Sequence, residues 1–205
     1  MLGRMALLAA TNSQAGDPHF SSVSFLLQPT TEANGSTTFV DKSSNNLAIT
    51  RVGNAVWDAG VTLFGLPTML LDGSSNLRLP LNVAALAVGA FDFTIEAWVL
   101  RSNANTSVIF VGQTDLGTAA GSGYVAYVGT ATSDLYSGTA AYSVASPNPS
   151  TGSFVFVQYV RSGGTWQTRS GGSVVATNAN IGSATVNAGA ANYPPAIGRF
   201  DTSGT

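Results

Sequence analysis

Few side chains in this chain can do acid–base or nucleophilic work, and their spacing narrows the chemistry further. Glutamate occurs only at Glu32 and Glu96. Cleavage of a glycosidic bond needs two carboxylates roughly 5–9.5 Å apart. Glu96 stands in Asp92-Phe93-Thr94-Ile95-Glu96-Ala97-Trp98, with no acid two or four positions beyond it. Asp92 shares its face of an extended strand but lies about 13 Å away at strand rise. These residues argue against a hydrolase, and Glu96 reads as a solvent-facing or hydrogen-bonded strand residue. His19 is the sole histidine and no Gly-x-Ser-x-Gly elbow accompanies it, so a Ser-His-Asp arrangement lacks its parts. With no cysteine there is neither a thiolate nor a disulfide, and one histidine cannot build a histidine-based metal site. Gly163-Gly164 and Gly121-Ser122-Gly123 read as hairpin glycines, since no helix follows either to make a phosphate cradle.

What remains is binding chemistry. A sugar site presents an aromatic ring for stacking beside Asn, Asp or Arg groups that hold hydroxyls. Trp98, Trp166, Tyr124 and Tyr136 are the candidate platforms, with Tyr142 behind them, and loop asparagines are plentiful. The same aromatics at strand spacing also read as core. Net charge is -2 and the pI about 5.1, so there is no basic footprint for nucleic acid. No stretch approaches the roughly 20 apolar residues of a membrane-spanning helix. Only 9% of the 205 residues are charged, against roughly 25% in ordinary soluble domains. Such a surface suits packing against other subunits, or an extracellular setting.

The elements that must carry these residues are strands. In Phe91 to Arg101 the odd positions Phe91, Phe93, Ile95, Ala97 and Val99 are apolar, while Asp92, Thr94 and Glu96 are polar. A period of two predicts a strand with one face on a core. At Trp98 and Leu100 the polar face turns apolar, so something must cover that end of the strand. Ser153 to Arg161 is apolar on both faces and reads as a central strand. Ser162-Gly163-Gly164 then turns it into Thr165–Arg169, and Gly171-Gly172 turns that into Ser173–Thr177, a meander. Further strands are expected at Val23–Leu27, Thr37–Val40, Leu47–Val52, Ala55–Trp57, Thr68–Leu71, Asn76–Leu79, Ser107–Val111, Tyr124–Val128 and from Ile197 on, with one more strand and a long loop inside 131–150. Asn82 to Val88 is the one helical turn. The whole predicts an all-β fold, an antiparallel β-sandwich. The apolar run Met5–Ala10 is shorter than the roughly 7–15 residues of a signal-peptide core, so residues 1–16 read as an N-terminal arm.

Several pieces in this order carry a resemblance. They are Asp17-Pro18-His19-Phe20 with Val23–Leu27, Asn34–Phe39, Leu71–Leu77, Phe91–Val99, Val160–Trp166 with Gly171-Gly172, and Ala196-Ile197-Gly198. Together they resemble the laminin-G-like, concanavalin-A-like jelly-roll domains found in bacteriophage virion proteins. The resemblance implies one jelly-roll domain over 17–205, with a final closing strand beyond the Ile-Gly segment that this sequence does not show. Either the sequence is cut from a longer protein, or a sheet edge is open for another segment, such as residues 1–16 of this or a neighbouring chain, with Met1, Leu2, Met5, Leu7, Leu8, Ile197 and Phe200 as assembly residues. No cofactor is expected except calcium, which such domains hold through loop oxygens, here Asp72, Asp115 and Asp134. The first function it implies is a non-enzymatic structural component on the virion surface, in tail, fibre or capsid decoration, whose partners are other virion proteins and copies of itself. The second is a lectin-like module that recognises host surface glycans through Trp166, Trp98, Tyr124 or Tyr136. The fold alone does not choose between them.

Overall fold

The computed structural model describes residues 4–6, 19–81, 83–105, 107–111, 123–137, 140–186 and 194–198. Within them run strands β1 (Arg4–Ala6), β2 (Thr50–Val52), β3 (Val56–Leu63), β4 (Leu66–Leu70), β5 (Asn76–Arg78), β6 (Phe93–Leu100) and β7 (Ser107–Val111). They continue as β8 (Gly123–Val128), β9 (Thr132–Ser137), β10 (Ala140–Ala145), β11 (Phe154–Ser162), β12 (Thr165–Ser170), β13 (Ser173–Asn178) and β14 (Ala196–Ile197). Two antiparallel sheets result: β13-β12-β11-β6-β1-β4-β3, and β10-β9-β8-β7-β14-β5-β2. The helical turn expected at 82–88 is a 3-10 turn at Ala84–Leu86.

The alternation in β6 does what its period requires. Ala97 and Val99 are buried, and Phe93 and Ile95 pack on the same core. Across the sandwich they meet Tyr124, Ala126 and Val128 of β8 and Leu135 of β9, also buried. Phe93 lies 5.0 Å from Tyr124 and 5.9 Å from Trp166, ring centre to ring centre. Each such side chain contributes about 1.5–3 kcal/mol by leaving water, which is what holds the layers face to face. Phe91 departs from the expectation: it is 77% exposed. The strand starts at Phe93 because the carboxylate of Asp92 turns away to accept the Gly163 N–H at 3.1–3.2 Å.

Two buried arginines close the ends of the β6–β11 ladder. Arg161 faces Phe93 at one end of this pairing, and Arg101 follows Leu100 at the other. The Arg161 guanidinium donates to the carbonyls of Gly89 (3.0 Å) and Ala184 (2.5 Å). That of Arg101 donates to Asn148 Oδ1 (2.6 Å) and to the carbonyls of Pro149 (2.9 Å) and Asn105 (3.0 Å). Each therefore satisfies loop carbonyls that burial would otherwise leave without water.

Three expectations are corrected. Val23–Leu27 and Thr37–Val40 do not form strands; a single bridge joins Leu27 to Asp41. The reason is Asp41, a buried carboxylate that takes the backbone N–H groups of Leu26 (3.0 Å), Ser43 (2.9 Å) and Leu47 (2.8 Å). A side chain here does the hydrogen bonding of a ladder. Within 131–150 there are two strands, β9 and β10, paired from Ala140–Ser137 to Ala145–Thr132. Lastly, Ala196–Ile197 is no open edge, since β14 lies between β7 and β5; β1, from the N-terminal arm, lies between β6 and β4, as expected of an arm that adds to a sheet.

Candidate functional site

The outer face of the first sheet gathers the side chains best suited to binding. In β6 the outward residues are those opposite in parity to the core set: Thr94, Glu96, Trp98 and Leu100. Antiparallel register then fixes their neighbours on β11, pairing Trp98 with Phe156, Glu96 with Gln158 and Thr94 with Val160. One strand further, Gln158 pairs with Arg169 and Val160 with Gln167 on β12. An aromatic rung therefore lies beside a polar one, Glu96–Gln158–Arg169, about 7 Å along the strands.

The aromatic rung is completed from the far side of the sheet. Trp98 is half-buried; its ring centre lies 5.3 Å from that of Phe156, tilted by 40°, and 5.4 Å from that of Phe64, at 88°. Phe64 belongs to the tight β3–β4 hairpin, in which Leu63 pairs with Leu66. Phe64 and Gly65 have φ of 53° and 77°. Positive φ at both central residues is the type I′ arrangement, in which Asn-Gly or Gly-Gly is the ordinary choice. A phenylalanine there costs about 1–2 kcal/mol. Phe64 nevertheless stays 61% exposed. Strain held at an exposed aromatic is the kind that marks functional sites.

The polar rung is exposed at Glu96 and half-buried at Gln158 and Arg169. Gln158 Nε2 donates to Glu96 Oε1 at 2.7 Å. Arg169 donates to Gln167 Oε1 at 3.3 Å. The partner of Glu96 across the ladder is thus an amide, not a second acid.

Of the aromatic platforms singled out from sequence, Trp98 alone stands on this face. Trp166 is fully buried on the inner face of β12, its indole N–H donating to the Ser133 carbonyl at 3.1 Å, so no sugar can reach its ring. Tyr124 is likewise core, and burial raises the pKa of its phenol. Tyr136 is half-buried on the other sheet, donating to Asp134 Oδ2 at 3.1 Å; burial first, and the Asp134 charge second, push its phenol up to about 12. Phe64 and Phe156 were not among the sequence candidates. Register brings Phe156 to Trp98, and only a tertiary contact brings Phe64.

Of the three aspartates expected at a calcium site, Asp72 and Asp134 lie among the described residues. Asp72 Oδ1 already accepts from Ser74 N (3.0 Å), Ser74 Oγ (2.8 Å) and Ser75 Oγ (2.7 Å). Those donors hold its carboxyl well below the usual carboxylate range, with Ser75 the largest cause. Asp134 is buried with Oδ1 lacking a partner among the described residues, yet no group of three acids or histidines there could hold an ion with it. Asp115 lies outside the described residues, as do the assembly candidates Met1, Leu2, Leu7, Leu8 and Phe200. Met5 is placed by its backbone in β1, opposite Val99 and Met69. Ile197 is 1% exposed inside the second sheet and offers no surface for assembly.

No protein-family model matches the chain, and no curated protein matches it. Solved structures do. The binding domain of botulinum neurotoxin DC in complex with SialylT aligns with a TM-score of 0.56 at 13% identity, over 85% of this chain and 43% of its own. A structure concerning cell entry of botulinum neurotoxin type C, which depends on interaction with two ganglioside molecules, aligns with a TM-score of 0.54 at 15% identity, over 89% of this chain and 45% of its own. The likeness is one of fold. This chain spans less than half the length of either structure. It shares an antiparallel β-sandwich with them, and its own outer face must argue for any ligand.

Proposed function

We propose that this chain is a binding module rather than an enzyme, and that it adheres to a carbohydrate through the outer face of the first sheet. The observation that carries the reading is Phe64, a bulky residue held in left-handed backbone and edge-on to Trp98 while most of it stays in water. Core packing gains little from an exposed ring, whereas a stacked sugar would use both. That Gln158 faces Glu96 supports binding over hydrolysis, since a glycosidase needs an acid in reach of the first. The sialylated and ganglioside ligands of the fold neighbours agree with a glycan role for such sandwiches. The resemblance to virion jelly rolls supplies the setting of this proposal, a phage particle that adheres to host glycans.

An immobilised-glycan array tests the reading. Saturable binding is expected, weakened at least about tenfold by Trp98→Ala, a loss of about 1.4 kcal/mol, in a variant that a thermal melt shows to be folded. Absence of any bound glycan, or binding indifferent to Trp98→Ala, would overturn it.

A second reading, a structural virion subunit that packs against neighbours, is favoured by the low charge and by exposed apolar side chains: Phe91 at 77%, Val174 at 52% and Val175 at 44%. It expects self-association in light scattering, or attachment to particles lacking the chain; a monomer that does neither removes it.

A further inference from the structure

The polar rung beside Trp98 says which sugars the face accepts. Resting on the glycan reading above, we propose that it takes a neutral, hydroxyl-rich sugar and turns acidic sugars away, with Glu96 as the hydroxyl acceptor.

Glu96 is two residues before Trp98 on the same strand and the same face, about 7 Å away at strand rise. A pyranose stacked on the indole would therefore direct its equatorial hydroxyls at this carboxylate. Gln158 Nε2 donates to Oε1 at 2.7 Å, which fixes the carboxylate's orientation. Oε2 has no partner among the described residues, so it remains an acceptor for sugar O–H groups. The Gln158 amide oxygen is a second acceptor in the same rung. Charge-assisted O–H···O⁻ bonds are about twice as strong as neutral ones, and a carboxylate is acceptor-only, so the rung selects ligands rich in donors. A uronic or sialic carboxylate brought to the same place meets a like charge and donates nothing.

Two cations fall on this face by register: Arg4, opposite Leu100 on the side of Trp98 away from Glu96, and Arg169. Arg169 lies two strands from Glu96, about 10 Å across the sheet, and its guanidinium donates to Gln167. Phe156 and Gln158 stand between it and a ring stacked on Trp98. An acidic sugar held by Arg169 would have to lie across β11 and β12, away from the platform.

The test titrates the full-length chain and its Glu96→Gln, Trp98→Ala and Arg169→Ala variants. The neutral probes are N-acetyllactosamine, maltotriose and chitotriose; the acidic probes are sialyllactose and trigalacturonate. Glu96 is exposed and the replacement is isosteric, and a thermal melt confirms that each variant is folded. The expected result is binding of one or more neutral probes, with acidic probes at least about tenfold weaker. Glu96→Gln should weaken the neutral probes by about tenfold and narrow the gap to the acidic ones. Tighter binding of an acidic probe, lost in Arg169→Ala, would overturn the proposal and leave the glycan reading standing, as would neutral affinity untouched by Glu96→Gln. Binding of none of the probes, or binding insensitive to Trp98→Ala, would remove both.

Discussion

Phe64 offers the sharpest handle on how stability and binding are divided in this molecule. Its residue is 61% exposed, so roughly two fifths of it is covered. For a phenylalanine that is about 80 Å², or about 2 kcal/mol at 25 cal/mol per Å². The edge-to-face contact with Trp98 adds about 0.5–1.5 kcal/mol. Against this stands the left-handed backbone, about 1–2 kcal/mol. Phe64→Ala removes the ring but keeps a Cβ in the unfavourable region, so it should destabilise by about 2.5–3.5 kcal/mol. Phe64→Asn removes the same ring, yet Asn tolerates positive φ and makes the turn Asn-Gly. The Asn variant should therefore be about 1 kcal/mol more stable than the Ala variant, a difference of about 2–4 °C in melting temperature for a chain of this size. Urea unfolding of both variants measures the gap. On the glycan array the two should lose affinity equally, because neither supports Trp98. Equal stabilities, or an Ala variant more stable than the Asn variant, would show that the hairpin backbone carries no such strain.

The remaining predictions concern the core, the acid limb and the ends of the sandwich. Trp166→Ala should cost about 3–5 kcal/mol, the price of a cavity at a fully buried ring, whereas Trp98→Ala should leave the fold standing; chemical denaturation of the pair separates platform from core. The folded Asp72 carboxyl sits below its ordinary value of 3.8, so its stabilisation is present above about pH 4 and is lost as pH falls below that. A melt series through the acid range should show this loss in the wild type and a flatter limb in Asp72→Asn. Arg161→Met should leave the Ala184 carbonyl without a donor and weaken the hold on Gly89, costing about 2–5 kcal/mol in urea unfolding; a cost under about 0.5 kcal/mol would mean that the clamp does not hold the end closed.

Alternation is a local property, and what depends on it is legible in the order of residues alone. β6 follows from period two, β11 from a run apolar on both faces, and β12 and β13 from their glycine turns, and with them the antiparallel sandwich. The loop segments around Leu27 and Thr38 mislead because they are short apolar runs between turn signals, while Asp41 takes the backbone donors that a neighbouring strand would have used. That capture links positions 15 residues apart, and no window of sequence displays it. The aromatics are visible as types but not as places. Trp98 and Trp166 both sit on strands of the first sheet, and only strand parity relative to the core puts Trp166 inside and Trp98 outside. Phe64-Gly65 carries no turn signature, because phenylalanine is the wrong residue for positive φ. Its conformation is settled by the ring it meets across β1. Local chemistry thus determined the strands and the scarcity of acids. The platform exists because register and a strained hairpin bring Trp98, Phe156 and Phe64 to one face, and such contacts between distant segments become defined only when the chain has folded.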